Sequence, residues 1–400
     1  MKYTAGNTGK KVRSDCFVSL ELTEKGGINI DLKSKVEVMY GNSIRELARK
    51  ELDFFGIENA NLEIEDSGAL EFTLSARIES AVKQAIDTDK EFLPEMIKTN
   101  TNYTEKEQFR FSRLYLPGNT PSMMLNAGVH RPNGIILDME DSVAFEKKPE
   151  ARLLIRNAVR AINFYGAERM VRINQLPAGL EDVKFVARHH VNLLLIPKCE
   201  SAEQITQVDV EIEKERKKHD FNYPIYYMPI IESALGVEKA FEIATASDNV
   251  VALAIGLEDF SADLGVARTK EANESLYART RLVNACKAAG IQPIDSVFSD
   301  VADEEGLREN VRISKSLGFE GMGCIHPRQI TPIHESFAPE QSQIDKAKKI
   351  ITAFKEAEAK GLGVISIGTK MIDPPVVKRA ETTIKLAVNL GLLDANWIED

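Results

Sequence analysis

Charged and polar residues recur directly behind short apolar runs at seven points of the chain. They are Asp138, Glu140 and Asp141 (LDMEDSV), Arg172 and Asn174 (VRIN), Lys198 and Glu200 (IPKCES), Glu232 (IIES), Glu258 and Asp259 (IGLED), Asp295 (PIDS) and His326 (CIHP). One polar residue behind a strand is ordinarily a solvated loop residue or a helix cap; seven in succession describe a charged face. Carboxylates gathered on one face repel unless a cation sits among them, and all-oxygen ligation suits a hard ion such as Mg2+. Mg2+ retains waters and yields them to a chelating substrate, so a 2-oxo acid, offering carboxylate and carbonyl oxygens together, is a natural partner. Arg172 can grip a carboxylate in bidentate fashion. It can equally close an internal ion pair with Glu140 or Glu200.

The elements that must position these residues are eight apolar runs separated by helical segments: Arg113 to Leu116, Gly134 to Leu137, Met170 to Ile173, Asn192 to Ile196, Ile225 to Ile230, Val251 to Ile255, Ile291 to Ile294 and Gly321 to Ile325. Eight strands, each followed by a helix, predict an α/β chain folded as a closed (β/α)8 barrel, whose active sites form at the carboxyl ends of the strands. An open doubly wound sheet is the competing arrangement, but no GxGxxG follows the first strand and no GxxxxGK[ST] occurs. Ahead of the barrel, Cys16–Leu22 and Ile28–Leu32 alternate across Gly26-Gly27 as a hairpin. Ser43, with Glu46 three residues on, predicts a capped helix start. LEIED and GALEFTL then read as a second hairpin-like pair before a helix from about Ala76 to Ala85. The expected divisions are a small α+β module over 1–86, a charged linker over 87–109, the barrel over 110–340 and a helical carboxyl-terminal segment over 341–400.

A net charge of −10 without a basic, aromatic-interleaved stripe argues against a nucleic-acid partner. The four cysteines, Cys16, Cys199, Cys286 and Cys324, lack CxxC spacing, so neither a zinc site nor a disulfide framework is indicated. No signal-peptide order and no membrane-length apolar run is present. The expectation is a soluble cytoplasmic protein without a membrane partner.

Residues 113–143, RLYLPGNTPSMMLNAGVHRPNGIILDMEDSV, together with VRIN, PKCES, IIESALG, GLEDFSADLG, GCIHPRQI and KMIDPPVVKRA, resemble the citrate lyase beta subunit and the malyl-CoA and citramalyl-CoA lyases. The resemblance runs from about residue 110 to 390. It implies a lyase that uses Mg2+, or Mn2+, to cleave a 3-hydroxy-acyl thioester of the citryl, citramalyl or malyl type. The products would be an acetyl thioester and a 2-oxo acid: oxaloacetate, pyruvate or glyoxylate. Carried over to this chain, it implies Glu232 and Asp259 as metal ligands, Arg172 as the grip on the oxo acid and Glu140 as a catalytic carboxylate. Asp141, Lys198, Glu200 and Glu258 would support them. Backbone N–H groups of the LPGN loop, formed by Leu116, Pro117, Gly118 and Asn119, are expected to orient carboxylate oxygens. Asp373 in the MID motif would be the acid–base group, carried on a lid that reaches a neighbouring subunit of a homo-trimer or hexamer. The other reading of Asp373 is a helix cap before Pro374 and Pro375.

The amino-terminal module resembles the gamma subunit, or acyl carrier protein, of citrate lyase through SDCFVSLEL, GGINIDLKSKVEVMYGNSIREL and IENANLEIEDSGALEFTLSARIESAV. Such a carrier holds its thioester on a phosphoribosyl-dephospho-CoA arm attached to the serine of GTLES(S/G)D. Here GKKVRSD puts Arg13 at that place and Ser14 one residue later. Either Ser14 bears the arm, and the chain cleaves its own citryl thioester beside an alpha-type transferase subunit, or the carrier is degenerate and the substrate arrives on free CoA. A non-catalytic assembly subunit is a third reading, which the charged strand ends argue against.

Overall fold

Alternation of apolar and polar residues builds the amino-terminal sheet, with Val18 and Leu20 opposite Ile64 and Leu62 and all four buried. The computed structural model describes residues 1–269, 271–359, 364–367 and 370–397. The sheet has four strands, β1 (Lys2–Gly6), β2 (Cys16–Leu22), β3 (Ile28–Ser34) and β4 (Ala60–Asp66), in the order β1-β2-β4-β3. β3 and β4 run parallel because the helix Glu37–Phe55 crosses between them, so β2 and β3 do not pair as a hairpin. That helix begins two turns before Ser43, at a turn where Ser34 Oγ accepts from the Val36 N–H. GALEFTL is not a strand: its latter part opens the helix Glu71–Ala85.

The barrel strands are β5 (Ser112–Pro117), β6 (Gly134–Asp138), β7 (Glu168–Arg172), β8 (Leu193–Ile196), β9 (Tyr226–Ile231), β10 (Ala252–Ile255), β11 (Gln292–Ile294) and β12 (Met322–Cys324). All neighbours pair in parallel, β12 returns to β5, and a bridge between Asp295 and Met322 closes the ring. Met170, Leu195, Met228, Ile230 and Ile294 belong to the core inside it. The expected helix after the first strand is reduced to Pro121–Met124 and a 3-10 turn, Ala127–His130. Longer helices follow the next strands, among them Lys148–Ala161, Ala202–His219 with a Ser201/Gln204 capping box, Leu276–Ala289 and Glu304–Leu317.

By its contacts the chain divides into two compact units, Met1–Ile330 and Thr331–Asp400. Within the first, the amino-terminal module is fixed to the barrel by buried charge. Arg77, fully buried, donates from Nε and Nη2 to Asp15 at 3.0 and 2.9 Å, and from Nη1 to Glu150 at 3.1 Å and to Asn119 Oδ1 at 2.6 Å. Arg156 of the helix Lys148–Ala161 makes a bidentate pair with Glu79, and Asn157 Nδ2 donates to the Phe72 carbonyl. The residues between module and barrel form no regular element beyond Lys98–Thr101, yet they are held along the barrel. Glu91 pairs with Arg156 and Arg188, Arg160 binds the Pro94 carbonyl, and buried Asn100 donates to the carbonyls of Val159 and Ile162.

The second unit packs the helices Gln341–Glu358 and Pro374–Asn389 around Ile344, Ile351, Ile384 and Trp397, with the short antiparallel strands Ile365–Ile367 and Lys370–Ile372. Among the described residues, no helix is long and apolar enough to cross a membrane.

Candidate active site

A cavity of about 800 Å3 opens at the carboxyl ends of the strands, and Leu116, Pro117, Asp138, Asp141, Arg172, Glu232, Glu258, Asp259, Asp295 and His326 are among its lining. Its organising contact is an ion pair that joins two strands. Arg172, the last residue of β7, donates from Nε and Nη2 to Asp138, the last residue of β6, at 2.6 and 2.7 Å. Nη1 lies 2.8 Å from Glu140, and the guanidinium stands over the Tyr115 ring. Burial would lower the pKa of Arg172, but the bonds and charge of Asp138 override it and hold the guanidinium above its ordinary value. Burial likewise opposes ionisation of Asp138, and Arg172 outweighs it, so that carboxyl is held low. Two of the five N–H donors of Arg172 are hydrogen-bonded to Asp138, and Nη1 is ion-paired with Glu140.

Lys198, in a left-handed conformation, sends its ammonium to Glu140 at 3.1 Å and its backbone N–H to Glu232 Oε1 at 2.7 Å. Glu232 is 5% exposed. Burial pushes its carboxyl up to about 8, reinforced by the charges of Glu140 and Asp259 and partly offset by the Lys198 N–H. Glu140 is also raised, chiefly by burial, and neither of its oxygens meets hydrogen-bond geometry. Gly256 makes the close approach possible, because a Cβ there would stand 2.4 Å from Glu232 Oε2.

This donor set fits a hard divalent cation. Asp138, Glu140, Asp141, Glu232 and Asp259 gather around Arg172 and Lys198, and burial together with neighbouring carboxylates raises the pKa of Glu140 and Glu232. Among the described residues no three His, Cys, Asp or Glu form a ready metal cage. Two carboxylates with open positions are the arrangement Mg2+ uses when waters and substrate complete its shell.

Other expected residues have different duties. Glu258 is exposed and paired with Arg268, and Glu200 accepts from Ser233 Oγ at the start of the helix Ala234–Glu238. Asp141 is more than half exposed, within reach of both Arg172 and Lys198. The loop Leu116–Asn119 does not present a row of donors: Pro117 has no N–H, the Gly118 N–H is bound to the Asp138 carbonyl, and the Asn119 side chain is held by Arg77. Asp295 is committed to Arg279 and Ser314, and His326 Nδ1 caps its own turn. In the second unit, Asp373 caps the helix Pro374–Asn389, accepting from the Val376 N–H at 3.2 Å. Ser14 is half-buried, with φ +54° and its N–H bonded to the Ser67 carbonyl. Asp138 was read from the sequence as part of the charged face but given no role of its own. Its signal was its place as the last residue of a strand, opening the LDMEDSV motif.

Comparison with known proteins agrees with this fold. The family model described as HpcH/HpaI aldolase/citrate lyase matches residues 112–327, and that of the malonate decarboxylase delta subunit matches residues 4–85. The chain is 37% identical to the citrate lyase subunit beta of Leuconostoc mesenteroides subsp. cremoris, over 73% of this chain and 99% of that one. It is 34% identical to the mitochondrial citramalyl-CoA lyase of Homo sapiens, over 69% of this chain and 85% of that one. A crystal structure of a Mycobacterium tuberculosis protein in complex with magnesium, acetoacetate and coenzyme A superposes with a TM-score of 0.58 at 27% identity, covering 71% of this chain and 99% of that one. Barrel, charged strand ends and relatives converge: the chain belongs to the HpcH/HpaI aldolase and citrate lyase family.

Proposed function

We propose that this lyase is a Mg2+-dependent carbon–carbon lyase that cleaves a 3-hydroxy-acyl thioester into an acetyl thioester and a 2-oxo acid. The observation that carries this reading is Glu232, a buried carboxylate pushed up to about 8 beside Asp259 and Glu140, which a divalent cation would relieve. When bound at Glu232 and Asp259, Mg2+ supplies Lewis-acid polarisation of the oxygen that becomes the ketone. Arg172, locked against Asp138, keeps N–H donors to orient the carboxylate of the oxo acid. As the hydroxyl gives its proton to Asp373, the carbon–carbon bond breaks and its electron pair passes to the thioester α-carbon. Asp373 then protonates that carbon to give the acetyl group. Delivery of Asp373 from a second copy of the chain accounts for a catalytic residue on a separate unit, and implies a homo-oligomer.

The state of the amino-terminal module favours a thioester of free CoA over one carried on Ser14. A swinging arm needs a mobile root, whereas Asp15, next to Ser14, is clamped by Arg77, and the Ser14 N–H is tied to Ser67. A panel of citryl, citramalyl and malyl thioesters, assayed by release of oxo acid, tests both points. Turnover of a free CoA ester is expected, to be lost in EDTA and restored by Mg2+ or Mn2+. Full activity in chelator would sink the metal assignment, and a large mass adduct on Ser14 would restore the carrier. Asp373→Asn is expected to reduce turnover by about 100-fold or more while Mg2+ still binds. Mixing Asp373→Asn with Glu232→Gln protein should recover activity if the acid serves a neighbouring subunit.

A further inference from the structure

Arg77, Arg110, Arg113 and Arg156 are the largest side chains sealed from solvent among the described residues. Three of these arginines have carboxylate partners: Arg77 with Asp15 and Glu150, Arg110 with Glu168, and Arg156 with Glu79 and Glu91. Arg113, 1% exposed, forms no ion pair with any described carboxylate. Its Nη1 lies 2.7 Å from the Met228 sulfur, a weak acceptor, and its Nη2 only reaches the Asp295 carbonyl at 3.5 Å. Nε has no acceptor at all. Burial lowers its pKa to about 10, which leaves it charged at neutral pH. A buried charge without a counter-ion is strongly unfavourable, and an apolar side chain of similar size would suit the same packing better.

What distinguishes Arg113 from the paired arginines is where it points. It is the second residue of β5 and lines the same cavity as Arg172, Glu232 and Asp259. On a strand, alternate residues share a face, so Arg113 stands two positions below Tyr115 on the inward side and forms the floor of the cavity. Met228 and Asp295, its two weak contacts, come from β9 and from the end of β11, so the guanidinium reaches across the barrel interior. Arg172 and the carboxylate pair supply contacts for one carboxylate and its neighbouring oxygen. A fixed positive fork beneath them is then left over.

We propose that Arg113 is the subsite for a second carboxylate on the oxo-acid half of the substrate. The cavity would then select the citryl class, releasing a dicarboxylate such as oxaloacetate, over the citramalyl and malyl classes. The inference rests on the thioester-lyase reading and adds the substrate class to it. Bound in this way, the second carboxylate provides the counter-ion that the fold withholds, so the unfavourable burial of Arg113 in the free protein is relieved only by the correct ligand.

Calorimetric titration of the full chain in MgCl2, with freshly prepared oxaloacetate and with pyruvate, tests it. Wild type is expected to prefer oxaloacetate. Arg113→Met should weaken oxaloacetate roughly 10- to 100-fold, the range of a charge-assisted hydrogen-bonded pair, and leave pyruvate nearly unchanged. Arg113→Lys should retain part of the preference. The thermal midpoint of ligand-free Arg113→Met should equal or exceed that of wild type, which separates a ligand subsite from a structural role. A lowered midpoint with both acids weakened alike would overturn the subsite, as would equal binding of the two acids by wild type. If neither acid binds wild type in Mg2+, the lyase reading itself fails and the subsite with it.

Discussion

Replacing Glu232 by glutamine is expected to lower thioester cleavage by about three orders of magnitude, the loss of several kcal/mol of charge stabilisation at the reacting oxygen. The substitution keeps the shape of a side chain that Gly256 was needed to accommodate, so the effect should fall on chemistry and metal affinity rather than on folding. The same carboxylate predicts a pH dependence with a definite sign. Burial and the neighbouring acids hold Glu232 at about 8 against an ordinary 4.5. In the metal-free protein it therefore carries a proton at neutral pH, and Mg2+ must displace that proton to bind. Apparent Mg2+ affinity should fall by up to about tenfold for each pH unit below about 8 and level off above it. Stability follows the same linkage. Between 4.5 and 8 the unfolded chain ionises this group while the folded chain does not, so the metal-free fold loses stability as pH rises through that window. Mg2+ should return the lost stability, most of all at the alkaline end. Titrations at pH 6.5, 7.5 and 8.5 read this directly: pH-independent affinity in wild type would remove Glu232 from the metal site, and Glu232→Gln should bind weakly with little dependence on pH.

The barrel was legible in the sequence because strands buried on both faces read as continuous apolar runs, and because the charge that follows them has no reason to recur in a scaffold. All eight runs are strands within a residue or two. The parts that escaped share a physical cause, which is that tertiary surroundings replaced local pattern. Leu70, Phe72 and Leu74 alternate like a strand, yet the helix Glu71–Ala85 can afford that pattern because its residues from Phe72 to Val82 are all buried. Gly41, Asn42 and Ser43 carry the chemistry of a turn and cap but lie inside the helix Glu37–Phe55. Asp138 ends its strand like any loop acid, and only the pairing of β6 with β7 brings it to Arg172. The Gly118 N–H was available in principle to a ligand, but its use by the Asp138 carbonyl is a fact of three dimensions. Arg113, an arginine early in a strand, carries no local sign that it points inward without a carboxylate partner among the described residues.

Arg77→Met is expected to cost about 3–5 kcal/mol in chemical unfolding, the range found when one member of a buried ion pair is removed. Asp15 and Glu150 are 2% and 5% exposed, and Lys147 can answer only Glu150, so the substitution leaves Asp15 charged, buried and without its counter-ion. Removing Asp15 as well should recover much of the loss. Arg77→Met with Asp15→Asn is therefore expected to be more stable than Arg77→Met alone, and the coupling energy of the cycle measures the pair. Arg77→Lys should not substitute, because one ammonium cannot hold both oxygens of Asp15 and also reach Glu150 and Asn119. Strict additivity of the two substitutions would show that the pair contributes nothing. The network also predicts an effect on substrate. Asn119 belongs to the loop that follows β5, and its side chain and carbonyl are held by Arg77 and Asn7 of the amino-terminal module. Pro117 and Ser122, on either side of it, line the cavity. Freeing Asn119 should raise KM for the thioester more than it lowers kcat, since the carboxylates proposed to hold the metal and Arg172 stand on other strands. A module that merely rode on the barrel would leave KM untouched. The fused carrier-like domain would then serve as the fixed wall of a binding loop.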